Sequence, residues 1–163
     1  MKRIMIILFL LILPLLILSY PWPISPFNTQ HPITATLGEY RPPSGSLGKH
    51  FHWGVDIAES AGTNVYSLVS GKPLVTNKAV NVGQYRYVHI IPTVTNQDTV
   101  IAFQTVIGTI QDYGIPGSAG DHLHFAEGMG GISNRVNPLR TGGLMPYADN
   151  AMPAVYGGNN YRF

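Results

Sequence analysis

Hydrophobic residues recur along most of this chain in short runs that are separated by turns rich in glycine and proline. Many of these runs alternate with polar residues at a period of two, which is typical of half-buried β-strands. No stretch has the spacing of an amphipathic helix. The runs that predict strands are residues 33–38, 55–58, 65–69, 72–76, 85–91, 99–103, 106–110 and the segment around 122–124. The pattern therefore predicts an all-β barrel or sandwich of about eight short strands.

The first nineteen residues break this pattern. Lys2 and Arg3 precede an unbroken apolar run, residues 4–18. As a helix this run would be about 22 Å long, which is shorter than a hydrocarbon core of about 30 Å. That length favours a signal peptide, whereas a run extended over residues 4–22 would serve as a membrane anchor. Both alternatives stay open. Each predicts export to the periplasm, the cell envelope or the medium, with or without a tether to the cytoplasmic membrane.

The rest of the chain is predicted to form three segments after the signal peptide or anchor at residues 1–19. Residues 20–32 are rich in proline, which predicts an extended linker in which His31 is solvated. One domain is predicted over residues 33–140. Residues 141–163 are predicted to form an irregular tail that is rich in glycine.

Composition excludes several classes of function. The chain has no cysteine, so it can hold no thiolate metal site, disulfide or cysteine nucleophile. Its formal net charge is +2, which Lys2 and Arg3 account for, so the remaining residues are neutral in sum. This balance excludes a basic patch for nucleic acid. We expect a monomer.

Histidines and one aspartate form the most informative pattern. His122 and His124 are two residues apart, which places both side chains on one face of a strand, about 6–7 Å apart. His52 and Asp56 are four residues apart, on either side of a glycine bend. Two imidazoles and one carboxylate, with a fourth position left to water, are typical of a catalytic zinc site. His52, Asp56 and one member of the histidine pair fit that set, and the spacing leaves open which member.

The other histidine of the pair would then lie beside the metal. There it could take a proton from an attacking water molecule or stabilise an oxyanion. His89 lies on another predicted strand and could complete the site. Because the sequence contains no HExxH helix, a histidine must serve as the base.

Several motifs of this chain resemble those of the lysostaphin-type, or LytM-like, zinc endopeptidases of peptidoglycan. The resemblance covers about residues 33–139. The segments that carry it are ITATLGEYR, HFHWGVDIAESAGTNVYSLVSG with its H-x-x-x-D spacing, YVHI, VIAFQTVIGTI, GDHLHF with its H-x-H spacing, and VNPL. Two departures are a short stretch between Gly71 and Tyr85, which suggests a missing hairpin, and Ala126 where the family usually has an acid.

The resemblance implies a fold, a cofactor and a role for each residue of the site. The fold is an antiparallel sheet groove or open barrel of short strands, with zinc on its floor. The implied zinc ligands are His52, Asp56 and His124, with one ion per chain, and the implied catalytic histidines are His122 and His89. The implied reaction is zinc-dependent hydrolysis of peptide bonds in bacterial peptidoglycan.

Two alternatives stay open beside this reading. One is a non-catalytic module of the same fold that binds peptidoglycan or regulates a hydrolase, although such modules usually lack a ligand and this chain retains all five expected positions. The other is a carboxypeptidase or amidase that acts on the same wall. A serine nucleophile is rejected because Ser44, Ser46 and Ser118 lack the spacing of a base and an orienting group.

Further side chains are assigned alternative roles. His50 is predicted to be an exposed loop histidine or to contact the ligands of the site from outside. Arg41 is expected to pair with a carboxylate of the domain or to contact a substrate carboxylate. Four aromatic residues line a peptide groove or pack in the core or at its rim: Tyr40, Trp53, Tyr85 and Tyr113.

Overall fold

The computed structural model describes residues 22–43, 48–114, 120–128, 134–140, 145 and 147. The predicted signal peptide or anchor at 1–19 and most of the predicted tail at 141–163 lie outside these residues. So do Ser44, Ser46 and Ser118. Within the described ranges, no helix is long and apolar enough to cross a membrane.

Short strands make up the described structure. They are β1 (Ile33–Ala35), β2 (Tyr40–Arg41), β3 (His50–Phe51), β4 (Val55–Ala58), β5 (Asn64–Tyr66), β6 (Pro73–Thr76), β7 (Ala79–Val82), β8 (Tyr85–Val88), β9 (Ile90–Pro92), β10 (Val106–Ile110) and β11 (His122–Glu127). Each is two to six residues long. The prediction of an all-β fold of short strands is confirmed.

The strands form three antiparallel sheets. The main sheet has six strands in the order β1-β4-β11-β8-β7-β6, and a second sheet has the order β5-β10-β9. Strands β2 and β3 form a separate two-stranded ribbon. Strand β11 therefore lies inside the main sheet, where it pairs with β4 on one side and with β8 on the other.

The two faces of the main sheet differ in chemistry because side chains alternate along each strand. On β11, Leu123 and Phe125 are fully buried in the hydrophobic core, where Phe125 packs against Tyr87 of β8 at a ring distance of 5.3 Å. His122 and His124 lie on the opposite face, which is half-buried. The period of two thus keeps the histidines out of the core while the same strand helps to build it.

The segment that was predicted to be a linker packs onto the domain. Trp22 and Ile24 are 1% exposed and belong to the core cluster, and Ile24 forms a β-bridge with Val65. The prediction of a solvated His31 is wrong. His31 is 5% exposed, its Nδ1 lies 2.6 Å from the Glu59 carboxylate, and its ring packs on Trp22. These partners are distant in sequence, so local composition could not reveal them.

Three strand predictions need correction. The run 85–91 is split at His89, whose φ of 64° interrupts the extended backbone between β8 and β9. Residues 99–103 are not a strand, and Val100 alone forms a bridge, to Gly71. Residues 79–82, for which no strand was predicted, form β7 in a hairpin with β6.

Gly54 allows β4 to approach β11 closely. A methyl group on Gly54 would overlap the carbonyl oxygen of Phe125 and would lie 2.9 Å from Nε2 of His124. The oxygen belongs to the backbone of a paired strand, so it cannot move without disturbing the register of β11 against β4. The glycine is therefore required by packing rather than by its dihedral angles.

We expect Gly54→Ala to destabilise the protein by about 1–3 kcal/mol, because overpacking forces the two strands apart. Urea unfolding measures this change. Gly48→Ala is the matched control, since a methyl group there meets nothing within 4 Å. Equal stability of the two variants would contradict the close-packing argument.

Candidate metal centre

Two paired strands and one loop bring the three expected ligands together. Asp56 of β4 lies directly opposite His124 of β11 in the antiparallel register. His52 precedes β4, and the bend through Gly54 returns its ring to the same face. His52 and Asp56 are 7% exposed and His124 is half-buried. His124 thus meets Asp56, which is 68 positions away in sequence, and His52, which is 72 positions away.

The potential ligand atoms form a small triangle. Nε2 of His52 lies 2.9 Å from Nδ1 of His124 and 3.0 Å from Oδ1 of Asp56. Nδ1 of His124 lies 2.9 Å from the same carboxylate oxygen. Among the described residues, these three side chains are the group that could hold a metal ion.

The hydrogen-bond donors of this triangle are too few for its acceptors. Nδ1 of His52 lies 2.9 Å from the carbonyl oxygen of Thr36, which can only accept, so that nitrogen carries the proton. In the neutral ring, Nε2 then presents a lone pair to the site. A single proton on Nδ1 of His124 cannot satisfy both the His52 nitrogen and the Asp56 oxygen. A cation would satisfy all three, so the residues fit a metal ion, and the Thr36 contact orients a ligand as outer partners do at zinc sites.

Asp56 is held in its charged form. Burial alone would raise its pKa, but hydrogen bonds and charge interactions with His124 and His52 outweigh burial and hold the pKa well below its usual range. Its second oxygen, Oδ2, accepts a hydrogen bond of 3.1 Å from Nη2 of Arg41. Arg41 therefore pairs with a carboxylate of the domain, which is one of its two predicted roles. The other oxygen of Asp56, Oδ1, stays directed at the histidines.

His122 lies at the edge of the triangle with its orientation set by the backbone. Its Nδ1 donates to the carbonyl oxygen of Gly120 at 2.8 Å. Nε2 of the neutral ring is then unprotonated and points toward the site, 3.7 Å from Oδ1 of Asp56. A histidine held in this tautomer can accept a proton at Nε2.

His89 faces His122 from the neighbouring strand connection. Their rings are 4.7 Å apart in an edge-to-face arrangement. Burial, and then the nearby His122 and His124, lower the pKa of His89 to about 4. A positive φ is uncommon for a residue other than glycine, and such conformations cluster at functional sites. The backbone at His89 thus turns out of the strand and brings the ring to the site.

Tyr113 contacts both outer histidines. Its hydroxyl group hydrogen-bonds to Nδ1 of His89, and its ring stacks on His122 at 5.9 Å with an interplanar angle of 14°. The side chain of Asp121 accepts a hydrogen bond from the backbone N–H of Tyr113 at 3.0 Å, which fixes the loop. Tyr113 therefore packs against the site histidines and is not among the described residues that line the cavity. The sequence offered no signal for its contact with His89.

A cavity of about 740 Å³ opens over these residues. Its walls carry His50, which is half-buried rather than exposed in a loop as predicted, and Trp53, which is 48% exposed. Tyr85 is 8% exposed and packs in the core, whereas Tyr40 is exposed on the β2–β3 ribbon against Phe51. The cavity is large enough to accept an extended peptide.

Comparisons with known proteins agree with this fold. No family model and no curated protein matches the chain. A solved mutant catalytic domain of EnpA, a prophage-encoded M23 protein from Enterococcus faecalis, is 24% identical with a TM-score of 0.50, over 77% of this chain and 98% of that one. A zinc-containing peptidase from Vibrio cholerae is 22% identical with a TM-score of 0.50, over 68% and 36%. Helicobacter pylori Csd3 is 21% identical with a TM-score of 0.51, over 78% and 35%. The chain thus spans about a third of the last two proteins.

We expect the metal-free protein to lose stability as the pH falls from about 6.5 toward about 4. The pKa of His89 is about 4 in the folded protein and 6.5 ordinarily, so between these pH values His89 is protonated in the unfolded chain but not in the folded one. The stabilisation is complete above pH 6.5 and disappears as the pH falls through 4. Urea unfolding of chelator-treated protein across this range checks the direction.

The variant His89→Gln removes this group. It should weaken the pH dependence in this range, while His124, whose pKa is also lowered, retains the remainder. The variant His50→Gln, at a half-buried histidine of the cavity wall outside the proposed ligands, serves as the control for the loss of a nearby imidazole. An unchanged profile for His89→Gln would contradict the assignment.

Proposed function

We propose that this chain, which has the fold of the lysostaphin-type M23 peptidases, is a zinc-dependent endopeptidase that hydrolyses peptide bonds of bacterial peptidoglycan. The observation that carries the proposal is the convergence of Nε2 of His52, Oδ1 of Asp56 and Nδ1 of His124 within 3.0 Å of one another. Two imidazoles and one carboxylate leave a position open, as catalytic zinc sites do.

The proposed roles follow from which atoms face the cavity. A zinc ion held by His52, Asp56 and His124 would supply Lewis acidity at the scissile carbonyl. His122 is the proposed general base, because its Nδ1 proton is engaged by Gly120 and its Nε2 is free to take a proton from the attacking water. The same imidazolium can then pass the proton to the leaving amine.

His89 and Tyr113 assist from the far side of His122. The low pKa of His89 keeps its ring neutral at neutral pH, so it can donate one hydrogen bond to the developing oxyanion. Tyr113 is the proposed positioning residue, since it touches the rings of both histidines. Solvent exposure of the cavity allows a peptide to reach this row of side chains.

The cellular setting is also a proposal. The apolar run at residues 4–18 supports export, and a peptidoglycan substrate lies outside the cytoplasmic membrane. We propose that the protein acts as a monomer in the periplasm, in the cell envelope or in the medium. The non-catalytic module of the same fold is the competing outcome of the first experiment below.

We expect purified protein to bind about one zinc ion per chain and to clear a suspension of cell walls. His122→Ala should abolish clearing but keep the metal, because the histidine is not among the three proposed ligands. Asp56→Asn should lose both. Metal content by mass spectrometry and turbidity measure the two properties, with His50→Ala as the control for the cavity wall. Clearing that survives His122→Ala would overturn the mechanism, and zinc binding without clearing by the unmodified protein would favour the non-catalytic module.

We expect Tyr113→Phe to lower kcat by about tenfold with little change in KM, because it removes a hydroxyl group that orients a catalytic side chain. Zinc content should stay the same. Tyr66→Phe removes a hydroxyl group on the second sheet and is the matched control. Steady-state kinetics on a peptide released from the wall give both constants. A change confined to KM would instead place Tyr113 in substrate binding.

A further inference from the structure

The cavity is strongly asymmetric in charge. Its described lining includes four cationic side chains and one carboxylate: Arg41, Lys49, Arg86, Arg135 and Asp56. The carboxylate is already engaged by Arg41 at 3.1 Å. A metal ion would add further positive charge. The cavity therefore favours an anionic group on whatever it binds.

Arg86 lies on the same face of the main sheet as the candidate metal centre. On β8 its neighbours Tyr85 and Tyr87 are buried in the core, so the guanidinium side chain projects toward the cavity. In the register, Val88 pairs with His124 and Arg86 pairs with Ala126. Arg86 and His124 are thus diagonal neighbours, with backbones about 7–8 Å apart.

Ala126 leaves the floor beside Arg86 without a polar group. Its side chain is a methyl group that lies between the metal centre and the arginine along β11. The nearest acid in sequence, Glu127, points to the other face, where it is 6% exposed and pairs with Arg140 at 2.6 Å. Strand alternation thus takes that carboxylate away from Arg86.

Arg135 approaches Arg86 from the segment that follows β11. The neighbouring Val136 bridges to Glu127, and Nη1 of Arg135 donates to the carbonyl oxygen of Gly128, which fixes one end of the guanidinium group. Nε of Arg135 is buried and has no hydrogen-bond partner among the described residues. Burial, followed by repulsion from Arg86, lowers the pKa of Arg135. Both arginines line the same cavity, so one ligand can contact both guanidinium groups.

In the described part of the chain, neither Arg86 nor Arg135 forms an ion pair with a carboxylate. Placing two like charges together at a cavity wall costs free energy unless an anion lies between them. Arginine binds a carboxylate through two parallel hydrogen bonds, which suits a planar anion. The pair therefore presents hydrogen-bond donors that suit a carboxylate.

We propose that Arg86 and Arg135 bind a free carboxylate of the substrate peptide, one to three residues from the scissile bond. The proposal rests on the proposed function, because it defines the substrate class of the same cavity as acidic peptides. The backbones of Arg86 and His124 are about 7–8 Å apart, which is about two residues of extended peptide at about 3.3 Å each, and the reach of the arginine side chains widens this to one to three residues. The carboxylate belongs either to an acidic side chain or to the peptide C-terminus.

Binding of matched peptides tests the subsite without turnover. The protein is the full chain with His122→Ala, loaded with zinc. The three ligands are acetylated tetrapeptides: Ala-Glu-Ala-Ala with an amidated C-terminus, Ala-Gln-Ala-Ala with a free C-terminus, and Ala-Gln-Ala-Ala amidated. Titration calorimetry should show that at least one acidic peptide binds about tenfold or more tightly than the neutral one, as expected for charge-assisted hydrogen bonds. The two acidic peptides distinguish a side chain from a C-terminus.

Variants assign the preference to the two arginines. Arg86→Gln and Arg135→Gln should each reduce it by about threefold, and their combination should abolish it. Lys72→Gln removes the same charge outside the cavity lining and should leave it intact. A preference that survives the double variant, or equal binding of all three peptides to the starting protein, would overturn the proposal. Tighter binding of inorganic phosphate than of either acidic peptide would also overturn it.

Hydrolysis by the unmodified protein separates this proposal from the proposed function. If the preference for acidic peptides is present but cell walls are not cleared, the subsite stands and the peptidase assignment fails. If walls are cleared but acidic and neutral peptides bind alike, the peptidase assignment stands and the subsite fails.

Discussion

The pairing of β11 with β4 is the constraint on which the site depends. It places His124 opposite Asp56 and, on the reverse face, Phe125 opposite Val55 in the core. A slip of one residue would turn the histidines into the core and the apolar side chains into the cavity. The burial of Leu123 and Phe125 thus fixes the positions of the polar groups on the other face. The single strand β11 therefore determines both the core packing and the geometry of the site.

The site itself is costly in the absence of a cation. Two nitrogens and one carboxylate oxygen converge within 3.0 Å, and a single proton on Nδ1 of His124 cannot satisfy both other atoms. Thr36 orients His52 and Arg41 holds the Asp56 carboxylate from outside, while Gly120 orients the adjacent His122. Such a cost is expected where binding of an ion repays it, and it distinguishes this cluster from an ordinary buried hydrogen-bond network.

Sequence reasoning reached the parts of the site that depend on local spacing. The period of a strand places His122 and His124 on one face, and the spacing of His52 and Asp56 adds the other two candidate ligands. The resemblance to known peptidases supplied the choice of His124 as the ligand. Sequence reasoning missed the features that depend on contacts between distant segments. The role of Tyr113 beside His89 comes from a loop that Asp121 holds in place. The burial of His31 against Glu59 joins two segments with no common pattern. The break at His89 reflects a positive φ that a run of β-prone residues hides.

One face of the main sheet carries both the candidate metal ligand His124 and the cationic Arg86, and strand pairing determines the distance between their backbones. His124 and Arg86 occupy neighbouring strands, two residues out of register, so their backbones are held about 7–8 Å apart by hydrogen bonding rather than by flexible loops. Side chains on strands are positioned more accurately than side chains on loops. Under the proposed function, a substrate that engages both would present an anion at a defined distance from the scissile bond. For this reason the selectivity of the cavity is expected to depend on the spacing between carboxylate and scissile bond as much as on charge.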